Sequence, residues 1–174
     1  MKAVNRWLHT TNQRIATGAA DAKSLVNKEN SLRTSTSRIE INAPTSAIWN
    51  AITNPDMVKR WQYGSVLTTT WEPGAPLRFT AEWDGQRFEQ WGRVIEFIPN
   101  VLLKYSLFAP RPDLTDSPEN YFFMTYRLED RDGKTLLEII QDDPRPVINP
   151  EAQPLEEEGE NPILRALKDL VEKG

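Results

Sequence analysis

The stretch RIEINAPTSAIWNAITNPDMVKRW, residues 38–61, holds a strand and two very short helices in direct succession. Ile39 and Ile41 alternate with Arg38, Glu40 and Asn42, the period-two pattern of a half-buried strand. Pro44 cannot donate to a ladder and starts a turn, after which Thr45 or Ser46 is placed to cap a helix. Ile48, Ala51 and Ile52 share one face of that helix, with Trp49 beside them. A second helix follows at once. Asn54 is its expected cap, Pro55 fits the first helical position and Asp56 complements the positive end of the dipole. Met57, Val58 and Trp61 form its apolar side.

The rest of the chain reads outward from this unit as strands. Runs at 65–71, 77–83, 87–97, 101–108, 121–128 and 135–141 are rich in β-branched and aromatic residues and separated by turn signals. Asp84-Gly85 and Asp132-Gly133 are two-residue hairpin signals. Gly92 lies inside the 87–97 run, where a bulge would let Phe88 and Trp91, of opposite parity, serve the same face. Residues 142–161 form a linker rich in proline and acid. Asn161-Pro162 then opens a final helix, in which Ile163, Leu164, Leu167, Leu170 and Val171 make one wide apolar stripe. The fold class is α+β: a long, curved antiparallel sheet leaves a concave apolar face, and one helix is long enough to cover it.

Composition removes most catalytic machinery. The chain has 174 residues, 39% of them hydrophobic, enough for one sizeable core. A net charge of −4 argues against a nucleic-acid surface, and no apolar run reaches the ~20 residues of a membrane span. There is no cysteine, and the single histidine, His9, lies in an N-terminal extension (residues 1–36) that is basic where the remainder, 37–174, is acidic. That extension lacks the continuous apolar segment of a secretory signal, and the expected location is cytoplasmic. No metal-ligand spacing, phosphate loop or nucleophile elbow is present, so no cofactor, metal or catalytic residue is assigned. Glu82, Glu89 and Glu96 recur every seven residues, but alternation sets Glu82 opposite Phe79 and Trp83, toward a solvated face with Arg78, Arg87 and Arg93.

Three segments carry a family resemblance: INAPTSAIWNAITNPDMVKRW (41–61), EPGAPLRF (72–79) and GRVIEFIPNVLL (92–103). Together they resemble the SRPBCC (START-like, helix-grip) superfamily, and within it the branch similar to the activator of the heat-shock-protein-ninety ATPase, C-terminal domain. The resemblance covers about residues 36–173. It departs at Pro73-Gly74-Ala75, where such proteins often carry paired glycines, which stiffens the loop. The resemblance implies a sheet gripping the C-terminal helix, with a cavity between them roofed by the two short helices and by loops. Many relatives hold lipids, sterols or polyketides there.

On that reading the ligand-binding candidates are Phe79, Trp83, Trp91, Tyr105, Phe122, Met124 and Tyr126 on the sheet. Trp61 from the second short helix, Leu164 and Leu167 from the last helix, and Gln141 as a polar handle beside Tyr126 complete the set. The same aromatics would equally fill a solid core. The leading expectation is non-enzymatic binding of a hydrophobic small molecule or lipid. The first alternative is a chaperone-regulating interaction module, using Tyr121 and Phe123 on an exposed sheet face. The second is a small cyclase or hydrolase in the same cavity.

Overall fold

Two strands that are consecutive in the chain lie at opposite edges of one seven-stranded antiparallel sheet. The computed structural model describes residues 32–147 and 162–174. Its strands are β1 (Arg33–Ile41), β2 (Val66–Thr68), β3 (Pro76–Trp83), β4 (Gln86–Ile98), β5 (Leu102–Phe108), β6 (Phe122–Arg131) and β7 (Lys134–Asp143), and they are ordered β1-β7-β6-β5-β4-β3-β2 across the sheet. Helices α1 (Thr45–Thr53) and α2 (Pro55–Trp61) connect β1 to β2, and α3 (Pro162–Lys173) ends the chain. The expectations for residues 1–31, His9, the Asn161 cap and the acidic run within 148–161 lie outside the described residues.

The crossing from β1 to β2 is made by α1 and α2, which lie across the concave side of the sheet, α1 against β6 and β7. Their packing is tightened by two indole N–H groups that satisfy carbonyls at the C-terminal end of α1, which have no partner within the helix. Trp61 Nε1 donates to the Ala51 carbonyl at 2.8 Å, and Trp71 Nε1 donates to the Thr53 carbonyl at 2.8 Å. Trp71 also stacks on Phe97, with ring centroids 5.6 Å apart, so the loop after β2 is pinned to both α1 and the sheet.

Several local expectations are corrected. Neither Thr45 nor Ser46 caps α1: extended Pro44 occupies the cap position with no side-chain bond, and Thr45 is already helical. Asn54 does cap α2, its side-chain oxygen accepting from the Asp56 N–H at 3.0 Å. β1 begins at Arg33, ahead of the expected strand start at Arg38, because Arg33–Thr36 pair with Asp143–Ile140. Polar Ser and Thr on both faces had hidden that strand start. β2 is three residues long and does not reach Trp71, whose backbone is left-handed (φ 64°).

The bulge in β4 falls between Val94 and Glu96, and pairing is regular through Gly92. Val94 is held there from outside the strand: its carbonyl accepts from Gly74 N–H at 2.7 Å and its N–H donates to the Ala75 carbonyl at 3.0 Å. Gly92 has a different reason to be glycine. A Cβ at this position would lie 1.8 Å from the Ser106 carbonyl oxygen. Both hairpins form as expected, with Asp84-Gly85 and Asp132-Gly133 all at positive φ.

The apolar stripe of α3 buries Leu164 and Leu167, with Ile163, Leu170 and Val171 half-buried beside them. The helix packs on α1, α2 and β1. Its last turn is tied to the end of β1 by Glu172, whose Oε1 accepts from the Asn42 N–H at 2.7 Å. The result is the helix-grip arrangement, a curved sheet closed by the terminal helix.

Since backbone, not a flexible side chain, opposes a Cβ at residue 92, Gly92→Ala is predicted to cost at least about 2 kcal/mol. The thermal midpoint followed by circular dichroism should fall by roughly 4–8 °C; an unchanged midpoint contradicts the close approach.

Candidate functional site on the concave face of the sheet

Strand register decides which candidates meet. Phe79 pairs with Gln90, Tyr105 with Met124, Leu103 with Tyr126 and Leu107 with Phe122, all on the concave side. Phe79, Tyr105, Phe122, Met124 and Tyr126 are buried, as are Leu164 and Leu167 on α3. Phe79 and Tyr105 rings lie 6.0 Å apart, and the same distance separates Tyr105 from Tyr126. Five of the sequence candidates on the sheet and both on the helix therefore belong to one core, while Trp83 stays half-buried at the tip of β3.

That interior is not purely apolar. The Tyr105 hydroxyl donates to the Tyr126 hydroxyl at 3.3 Å. Burial pushes both phenols up, Tyr105 the further because Tyr126 lies beside it, so both stay neutral at physiological pH. With Tyr105 as donor, Tyr126 keeps its own hydrogen for a third group. Gln141 pairs with Met124 and is half-buried on the same face. Gln90, which sequence reasoning missed, is buried opposite Phe79. Its signal was available, since it shares the parity of Phe88 and Gly92.

Trp91 is corrected. The bulge that was to turn it inward comes only after it, so Trp91 stays on the convex face. There its Nε1 donates to Asp116 Oδ2 at 3.0 Å, Phe108 lies 5.4 Å away and the Arg78 guanidinium 5.5 Å over its ring. Tyr121 joins this outer cluster by donating to Asp116 Oδ1 at 2.6 Å. An open depression of ≈ 490 Å³, lined by Arg87, Phe88, Glu89, Trp91 and Pro110, lies alongside. Trp61, from α2, is buried in the same core, with its indole N–H committed to the Ala51 carbonyl.

The glutamates form no catalytic pair among the described residues. Glu89 is bridged by Arg78 at 2.9 Å and Arg87 at 2.8 Å on the convex face, and Glu82 and Glu96 are exposed. No group of three His, Cys, Asp or Glu side chains among the described residues is arranged for a metal, and no helix among them is long and apolar enough to cross a membrane.

At the end of the concave face where β6 begins, a charged cluster appears that the sequence reading treated as linker. Arg145 grips Asp143 with two bonds, Nε to Oδ1 at 2.8 Å and Nη2 to Oδ2 at 2.7 Å. Its guanidinium sits 4.3 Å above the Phe122 ring. Arg33 adds a second cation, 3.2 Å from Asp143 Oδ2, and donates to the Arg145 carbonyl at 2.8 Å. Burial pushes the Asp143 carboxyl up, but the hydrogen bonds and charge of Arg145, with Arg33 behind it, more than offset this and hold it below the usual range.

A carboxyl whose pKa is depressed by folding stabilises the protein above its unfolded value and loses that contribution as pH falls through its folded value. Asp143→Asn should thus cost about 1.5–3 kcal/mol at pH 7. The gap to wild type, measured by urea unfolding, should narrow as pH drops below about 4. A gap independent of pH contradicts an ionised Asp143.

Comparisons with known proteins agree with this architecture. No curated protein matches the chain. The solution structure of ChR145 from Cytophaga hutchinsonii is similar at 28% identity, covering 82% of this chain and 97% of that one, with a TM-score of 0.67. The Aha1 dimer from Colwellia psychrerythraea shares the fold at 18% identity, covering 80% and 96%, with a TM-score of 0.59. Ara h 8.0201 does so at 12% identity, covering 83% and 100%, with a TM-score of 0.62. Residues 42–172 match the family described as Activator of Hsp90 ATPase homolog 1-like protein. The chain belongs to that family, a branch of the START-like superfamily.

Proposed function

We propose that this protein binds an apolar or amphipathic small molecule between the concave face and α3, without catalysing its conversion. The observation that carries this reading is the neutral Tyr105–Tyr126 hydroxyl pair set among buried aromatics. Two phenols in a buried interior satisfy each other only in part. A ligand hydroxyl or carbonyl beside Tyr126 would complete the set, while Phe79 and Met124 supply apolar contact. Such a division, mostly apolar lining with few polar groups, is what small-molecule sites use to combine affinity with orientation.

A second reading is supported by a different observation. The convex face carries the half-buried Trp91 and Tyr121, both bonded to Asp116 and packed on the buried Phe108, and the family is named for activation of a chaperone ATPase. Aromatic residues with a polar partner on an accessible sheet face are typical of protein-binding surfaces. Under this reading, adding the protein to the cognate chaperone raises its ATPase rate, and Trp91→Ala reduces the rise several-fold. No rate change and no complex in a pull-down end it.

For the first reading, native mass spectrometry of the purified protein should detect a bound apolar species. Met124→Trp fills ligand space, so it should weaken binding at least about tenfold (1.4 kcal/mol) while lowering stability by less than about 1 kcal/mol. If the interior is already solid, the same substitution overpacks it: stability then drops by about 1–3 kcal/mol or more and there is no ligand to lose.

A further inference from the structure

The geometry points to Arg145 as the recognition point for an oxyanion borne on an apolar tail, which makes the ligand of the interior an anionic amphiphile. This rests on the small-molecule reading above and narrows its chemistry.

The first observation is a donor without an acceptor. Arg145 is 5% exposed, yet it is a permanently charged side chain with five N–H groups. Nε and Nη2 are used by Asp143, but among the described residues the buried Nη1 has no hydrogen-bond partner. Buried polar groups are almost always paired, and a charged donor left unpaired in the interior is costly. A planar fork with one arm occupied and the other free is suited to a second carboxylate or a phosphate.

The second observation is charge balance. Arg33 and Arg145 share the single carboxylate Asp143. The neighbouring Arg111, which reaches the Pro146 carbonyl, is already neutralised by Asp113 at 2.7 Å. Asp142 pairs with Phe123 on the other face of the sheet and accepts from Thr34. Among the described residues the cluster therefore holds one positive charge in excess. The third observation is position. The guanidinium lies over Phe122, whose strand neighbour two residues on is Met124 of the interior. A head group bonded to Nη1 would leave its tail to run along Met124 toward Tyr126.

Isothermal titration of the full chain with dodecanoate, dodecanol and acetate tests this. Dodecanoate should bind at least about tenfold tighter than dodecanol, and acetate, an anion without a tail, should show no binding at the same concentrations. In the charge-neutral double variant D143N/R145Q the ratio between dodecanoate and dodecanol should fall to about one. Dodecanol binding as tightly as dodecanoate in the wild type overturns the role of Arg145 while leaving the small-molecule reading intact. Neither compound binding removes both. Acetate binding as tightly as dodecanoate, or a preference that survives in the double variant, also overturns the proposal. The wild-type comparison decides even if the variant is too unstable to titrate.

Discussion

Pairing of the first strand with the last governs the rest of this molecule. β1 forms nine residue pairs with β7, from Arg33↔Asp143 to Ile41↔Thr135, and so places the start of the domain at one sheet edge. Its chain neighbour β2 is at the other edge. The two short helices join them across the concave side, so this crossing covers the face that the curved sheet presents. Residues with no role in any ligand contact serve it. The buried Thr135 hydroxyl donates to the Ala43 carbonyl at 2.8 Å, fastening the turn out of β1 to the β7 strand. Glu172 fastens the same turn to α3 from the other side.

Curvature also decides which polar groups end up without water. On the convex face, arginines and glutamates meet in exposed pairs such as Arg38–Glu138 at 2.6 Å, worth little individually. On the concave face the same chemistry has different weight. Two tyrosine hydroxyls, two glutamine amides and a guanidinium lie among aromatics, where a satisfied bond orders the interior and an unsatisfied one is expensive. The Asp143–Arg145 pair illustrates the balance: the carboxylate stays ionised against its own burial because the arginine beside it is committed by two bonds.

Much of the architecture could be read from residues 38–61 and the later alternation, because strand and helix periods there are locally consistent with the tertiary fold. The Asn54-Pro55-Asp56 start, both Asp-Gly hairpins and the α3 stripe are cases where one physical rule suffices. The bulge was not legible. Its place is set by Gly74 and Ala75, some twenty residues earlier in the chain, bonding across to Val94, and no pattern within β4 encodes that. The inward assignment of Trp91 failed for the same reason. Arg145 was hidden in a proline-rich segment that reads as linker, since its meaning depends on Phe122 and Arg33 arriving from distant elements. Tyr105 and Tyr126 were found as apolar bulk, and only register revealed that their hydroxyls meet.

The claim on which this account turns is that the curved sheet and α3 enclose space rather than solid packing. Diffraction from crystals pressurised with xenon addresses it directly, because xenon enters apolar cavities and is visible without a chemical tail or head. The account predicts a xenon site among Phe79, Met124 and Tyr126, on the side of the sheet facing Leu167. Density there made up only of interlocking side chains, with no xenon, contradicts it.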